Sequence, residues 1–188
     1  HIATGESKVE KVAGNRRILG PDGKVASQRG SSSTSPEHHA LPEGVIDPML
    51  KTVAFYNNQQ KLVASHYYAC HPMSYYGDGR VSADFCGLAR KQRQQQEPDC
   101  THLYFNGCGG NIGAGKYNDG SKEMRPVLTQ RILDGIVGSE QSLDPQSIES
   151  VAWTTSDIQP PSDKRFGAEQ LMHLISDKSQ GVVNRNRS

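Results

Sequence analysis

The chain's chemistry-bearing residues are concentrated at His71 and in the glycine-rich run from Asn106 to Lys116, NGCGGNIGAGK. A histidine that follows an apolar strand can serve as a metal ligand or general base. Closely spaced glycines let backbone N–H groups approach an anion or a developing oxyanion, and equally let two backbone segments pack against each other. Gly110 to Lys116 also matches GxxxxGK, the pattern in which backbone amides cradle phosphates and a lysine reaches the outer ones. Here Tyr117 stands where a Mg²⁺-binding hydroxyl is needed, and Asn118-Asp119-Gly120 reads as a turn. A phosphate needs a helix start at that point. Nucleotide binding therefore ranks behind a glycine turn for close packing and an active-site loop of another kind.

The elements that must position these residues are legible in order. Gly20-Pro21-Asp22-Gly23 is a turn signal between two short apolar pieces. Met49 to Tyr56 reads as a strand, residues 57–60 as a hairpin turn, and Lys61 to Cys70 as the returning strand. This second strand alternates only weakly, which predicts cover on both faces. Pro72 ends it. Ser82 suits an N-cap, with Asp84 in the first turn of a helix that runs to Gln96 before Pro98. Thr101 to Phe105 is a short buried strand. Strand, helix and strand form a βαβ unit with parallel strands and a right-handed crossover.

In such a unit the C-terminal strand ends lie side by side, so His71, Asn106 and the glycine loop are predicted to share one crevice. His66 is an odd number of residues from His71 and faces the other way if both lie on the strand. His102 begins its strand and belongs at the opposite end. Further on, Ser121 to Val137 carries apolar residues at helical spacing, with Gly138 marking the end. Ile148 to Thr155 reads as another strand. Ser162 or Asp163 is expected to cap a last helix bearing Phe166, Leu171, Leu174 and Ile175, with His173 on its surface or at a packing contact.

With 188 residues the chain can hold one domain with a sizeable core, but 34% hydrophobic content and a mean hydropathy of -0.66 predict that part of it lies outside. Residues 1–44 read as an extended lead-in, 45–180 as the α/β domain and 181–188 as a polar tail. Residues 26–44, rich in Ser, Pro and Gly, are expected to be a loop or disordered, with His38 and His39 a solvated pair. A formal charge of +1 argues against nucleic acid as a partner. No apolar run is long enough for a membrane-spanning helix. The four cysteines form no CxxC. Cys70 is expected to be a buried free thiol, and a Cys100–Cys108 bridge is conceivable. A first residue of His1 suggests processing, a tag remnant or a cut fragment.

VASHYYACHPMSYYGDGRVSADFCGLA, Val63 to Ala89, followed by a strand and NGCGGNIG, resembles the N-terminal domain of the neutral/alkaline non-lysosomal ceramidase family, and within it the bacterial ceramidase-like proteins of unassigned activity. Val9 to Ile18 (VEKVAGNRRI) and Gly44 to Asn57 (GVIDPMLKTVAFYN) resemble the upstream run of such proteins, so the likeness spans roughly residues 8–120. The resemblance implies a mixed α/β sheet with a β-hairpin, a parallel βαβ unit and helices packed on the sheet. It implies Zn²⁺-dependent amide hydrolysis, with His71 as a zinc ligand and a small-molecule or lipid-like substrate. Gly110 and Asn111 match the family's loop, whose backbone, from Gly109 to Gly113, would stabilise an oxyanion. Gly113 falls where the family's catalytic Ser stands, and Asn111 where it has Asp. The family's other ligands, a His upstream and a Glu and Tyr far downstream, have no counterpart here. The chain thus reads as the middle of a longer polypeptide, inactive alone, and the resemblance suggests a secreted or periplasmic setting. A non-catalytic scaffold or binding module that has lost the nucleophile is the alternative, and phosphate-loop nucleotide binding the third.

Overall fold

The computed structural model describes residues 1–77, 79–161, 167–179 and 181. It has two compact units, His1–Glu149 and Ser150–Ser188. The first is built on a four-stranded mixed sheet in the order β1 (Ile2–Lys8), β5 (Met49–Asn57), β6 (Gln60–Tyr68), β7 (Thr101–Asn106). β1, β5 and β6 are antiparallel, and β7 runs parallel to β6 after the crossover helix α2 (Asp84–Gln96). The β5–β6 hairpin turns at Asn58, whose φ of 53° lies in the left-handed region that asparagine tolerates best.

Alternation decides what each face carries. Leu50, Thr52 and Ala54 of β5 and Ala64, His66 and Tyr68 of β6 point inward, beneath α2 and α3 (Met124–Glu140). The core is Leu50, Tyr68, Phe85, Ala89, Leu128, Ile132 and Ile136, closed at the strand ends by Cys70 and Ile112. Pro126 sits in the first turn of α3, where its missing N–H costs nothing, and the helix passes Gly138 by one further pair of residues. Within this unit β6 is covered on one face only. On the other, Phe55, Tyr67, Leu103 and Phe105 stay partly exposed, and Tyr67 and Phe105 stack at 5.1 Å across the parallel pair.

Residues 1–44 are woven into the same unit. β1 carries no alternating apolar pattern, because an edge strand needs an apolar residue only where it meets the core, here Ala3. β2 (Gly14–Asn15) pairs with β8 (Ile112–Gly113), and β3 (Arg17–Leu19) with β4 (Val25–Gln28) around the Gly20–Gly23 turn. The polar stretch after β4 is ordered around Arg29, which is 1% exposed. Its guanidinium donates to the carbonyls of Asn15 (3.0 Å), His38 (2.8 Å) and Pro42 (3.0 Å), so a segment with almost no apolar side chains folds on a buried cation. Burial pulls the Arg29 pKa down, opposed by Tyr117 and Glu43. The short helix α1 (Pro36–Ala40) is capped by Ser35. His38 and His39 are accordingly half-buried: His38 bonds Ser27 (2.8 Å) and Ser33 (3.0 Å), and His39 the Ser33 carbonyl.

Ile148 to Thr155 does not form a strand. Among the described residues the pairing nearby is the bridge between Ile2 and Gln146, and Val151 and Trp153 are exposed. In the second unit α4 (Ala168–Ser176) carries Leu171, Leu174, Ile175 and His173 with no buried side chain. The expected cap at Ser162 or Asp163, Phe166 and the polar tail from 182 onward lie outside the described residues. All four cysteines are free, Cys70, Cys86 and Cys100 buried and Cys108 exposed. No helix among the described residues is long and apolar enough to cross a membrane.

Replacing Arg29 by Met keeps the volume but strands several buried carbonyls without a donor. Urea denaturation of Arg29→Met is expected to show a loss of about 3 kcal/mol or more, with residues 31–43 gaining hydrogen exchange first.

Candidate functional site

β6 ends at Tyr68, two residues short of the expected Cys70, so His71 lies in the loop beyond the strand and the face-alternation argument does not reach it. Its backbone N–H donates to the Ile112 carbonyl at 3.0 Å, and Gly107 N–H donates to the Tyr68 carbonyl at 3.0 Å. The ends of β6 and β7 and the glycine loop therefore meet at one edge of the sheet. No described residue bonds the half-buried His71 imidazole.

Within the loop, Gly109 N–H is taken by Gly107 O and Ile112 N–H by Gly109 O. Gly110 and Asn111 N–H groups have no partner among the described residues. Gly113, in β8, faces Gly14 across the short ladder. Of the glycine-loop amides expected to face an oxyanion, those of Gly110 and Asn111 are the ones left open.

Opposite these amides stand two arginines that no motif singles out. The Arg16 N–H donates to Asn111 O (2.7 Å), and Arg17 donates to Asn111 Oδ1 from its backbone (3.2 Å) and guanidinium (3.4 Å). Arg16, Arg17, Gln28, Gly110 and Asn111 enclose a cavity of about 60 Å³. One water molecule needs about 10–15 Å³ of such space, so there is room for a small polar or anionic group. The Arg16 guanidinium has no partner among the described residues, and Asn111 supplies no negative charge, so the pocket is electropositive. The signal was present in the sequence as two consecutive arginines with no acidic residue beside them.

On the other side of the loop, Val45, Ile46, Met49, Tyr67, Ala69 and Ile112 line an apolar groove of about 540 Å³ that also reaches Cys108. The helix start beside the site is braced from within. Asp84, at φ 49° and nearly buried, accepts from Ser74 N–H (3.1 Å) and Arg125 (3.3 Å). Asn118 donates to the Ser31 (2.9 Å) and Ser74 (2.6 Å) carbonyls. Ser82 Oγ accepts from Asp84 N–H, with Ala83 at the N-cap position.

Lys116 closes the phosphate-loop question. Its ammonium donates to the carbonyls of His39 (2.7 Å) and Leu41, Tyr117 donates to Glu43 (2.5 Å), and residues 117–123 form turns before α3. The lysine that would meet a phosphate holds the segment beneath Arg29 instead.

Metal donors cluster elsewhere. His66, His102 and Glu140, and Glu97, Cys100 and His102, bring nitrogen, sulfur and carboxylate donors within 4.8 Å of one another, close enough for a metal ion to be considered. His102, at the start of β7, lies as expected at the end of the sheet away from the loop. His71 belongs to neither group.

No family model matches the chain, and no curated protein sequence does. Among solved structures, the neutral ceramidase from Pseudomonas aeruginosa matches with a TM-score of 0.53 at 15% identity, over 75% of this chain and 22% of that one. A ceramidase complexed with C2 matches with a TM-score of 0.51 at 13% identity over the same shares. The fold is ceramidase-like, and the chain spans about a fifth of the length of those proteins.

The glycines of the loop differ in what they tolerate. A Cβ at Gly113 would meet Arg16 Cγ at 3.4 Å and Ser31 Cα at 3.6 Å, ordinary contacts, whereas one at Gly115 would collide with the Gly30 carbonyl. Gly113→Ser is expected to stay within about 1 kcal/mol of the parent in thermal denaturation. Gly115→Ser is expected to lose about 2 kcal/mol or more, with residues 30–33 loosened in hydrogen exchange.

Proposed function

We propose that this chain is a ceramidase-like hydrolase scaffold, in which the Gly110–Gly113 loop and Arg16 bind the polar head of a small-molecule or lipid-like ligand. The observation that carries this reading is one small cavity lined by Arg16, Gly110 and Asn111, where the Arg16 guanidinium and the Gly110 and Asn111 N–H groups have no partner among the described residues. Two free N–H groups beside a guanidinium suit a carboxylate, or the oxyanion of an amide or ester under attack. The apolar groove across Ile112 supports a ligand with an apolar tail.

The zinc implied by the resemblance does not fit the donors present. His71 stands alone, where zinc sites with catalytic water use three protein ligands. Gly113 also leaves the loop without a nucleophilic hydroxyl. His71 would be one ligand of a centre completed by further protein, in keeping with the greater length of the ceramidase chains, and this chain by itself does not turn over substrate. The scaffold is then a binding module first, and a hydrolase only in a more complete polypeptide.

The test is direct. Titrating the chain with acetate or inorganic phosphate is expected to shift the Gly110 and Asn111 amide resonances, and Arg16→Gln to abolish the shift. Ester and N-acyl amide turnover should match that of buffer. Stoichiometric, chelator-resistant zinc together with turnover that His71→Ala removes would overturn the reading of an incomplete centre. Amide shifts that persist in Arg16→Gln would overturn the pocket.

A further inference from the structure

At the end of the sheet away from the candidate site, the fold buries a chain of polar groups that the proposed function does not use. Ser139 Oγ lies 2.6 Å from Thr52 Oγ1, and Thr52 Oγ1 lies 2.8 Å from His66 Nδ1. His66 Nε2 lies 3.0 Å from His102 Nδ1, and His102 Nε2 3.2 Å from Glu97 Oε2. Both histidines are essentially inaccessible, at 0% and 1% exposure. Their planes differ by only 9°, yet the ring centres are 5.3 Å apart while the facing nitrogens are 3.0 Å apart. The rings are therefore set edge to edge, aiming nitrogen at nitrogen. A metal between nitrogens so aimed would sit 1.5 Å from each, half of 3.0 Å. That is well short of a Zn–N bond of about 2.0–2.1 Å.

Proton placement follows from the end of the chain. The Glu97 carboxylate can only accept, so His102 Nε2 carries a proton and, in the neutral ring, Nδ1 accepts. His66 Nε2 must then donate and His66 Nδ1 accept, which directs the Thr52 hydroxyl to His66 and leaves the Ser139 hydroxyl shared between Thr52 Oγ1 (2.6 Å) and the Ile136 carbonyl (2.8 Å). The charges that face the pair already balance. Lys61 of β6 and Arg93 of α2 contact Glu97 of α2 and Glu140 of α3: Lys61 at 2.8 and 3.0 Å, Arg93 at 2.5 and 2.6 Å. Tyr56 of β5 and Cys100 before β7 belong to the same surroundings, and burial raises both, Cys100 to about 11, so neither supplies a negative charge in acid. Glu140 Oε1 also lies 3.8 Å from His102 Nδ1 and opposes the effect of burial, but Lys61 and Arg93 already match both carboxylates, so a proton added to either ring meets no unmatched one.

We propose that the His66–His102 pair is a proton-sensitive latch: neutral, it ties β6 and β7 to the C-terminal ends of α2 and α3, and protonation of either ring releases those helix ends from the sheet. Burial is the main force keeping the pair neutral, helped by Arg93 and Lys61. It pushes the His66 pKa down to about 3 and lowers that of His102. Since free histidine titrates near 6.5, the unfolded chain binds more protons than the folded one below that pH. Stability is full above about pH 6.5 and is lost as the pH falls toward the folded-state values.

Two measurements on the whole chain test this. Nitrogen-15 NMR of the imidazoles at pH 7.5 should show both rings neutral in the Nε2–H tautomer. An imidazolium, or an Nδ1–H tautomer at either ring, overturns the latch. From pH 6 to pH 5 the folding equilibrium constant should fall by about eightfold for His66 alone, and further for His102. His66→Gln should make that drop about eightfold smaller whatever its effect at pH 7.5, because a merely structural role lowers stability without changing the slope. An unchanged slope sinks the proposal, and so does stoichiometric Co²⁺ binding that His66→Gln abolishes, which would make the pair a metal site. If His66→Gln does not fold, the parent's tautomers and slope decide.

Discussion

Two cations bound to backbone carbonyls, the buried Arg29 and the half-buried Lys116, hold the candidate site together. Arg29 and Lys116 reach carbonyls of the segment from His38 to Pro42, and Arg29 also reaches Asn15, next to Arg16. A peptide segment without large apolar side chains cannot offset its own ordering entropy by burial. It can do so when its carbonyls become ligands for charges that would otherwise be buried unsatisfied. The arrangement fixes both partners: the segment gains order, and β2 and β8 are clamped so that the arginines face the glycine loop.

This explains why the loop resembles a phosphate-binding motif without acting as one. Its glycines answer a packing requirement. Gly113 lies against Gly14, Gly115 against Gly30, and the lysine that completes the pattern is turned inward to the carbonyls. The same close packing leaves the Gly110 and Asn111 amides at the loop's outer bend unused, and exposure there follows from the packing elsewhere in the loop.

How much of this was legible in the sequence follows from the physics of each part. The hairpin, the βαβ unit and α3 were readable because apolar period and turn residues are local signals. The meeting of His71 with the glycine loop followed from topology, since parallel strands joined by a crossover end side by side. What stayed hidden depended on partners far away in sequence. β1 carries little apolar pattern and is a strand because β5 offers it a ladder. Residues 26–44 look unstructured until Arg29 and Lys116 are placed, and Ile148 to Thr155 has strand composition but no neighbour to pair with. Arg16 and Arg17 were visible as residues, but their role depends on Asn111 lying opposite, 94 residues away from Arg17.

The helix pair shows why the two ends of the sheet can carry such different chemistry. α2 and α3 run in the same direction over the sheet, with an apolar middle of Phe85, Ala89, Leu128, Ile132 and Ile136. They are tied at their starts by Asp84 to Arg125 and at their ends by Arg93 to Glu140. Apolar packing between helices is permissive in register, whereas a buried charge pair is not, because sliding would strand both charges. Ionic ties at both ends therefore fix the helices against each other and, through Ser74 and Asn118 at one end and His66 and His102 at the other, against the strands below. The start of the pair braces the loop that carries His71, while the far end bears the titratable groups. A protonation event there is separated from the candidate site by the whole apolar middle, so it bears on how firmly the scaffold is held before it bears on what the loop binds.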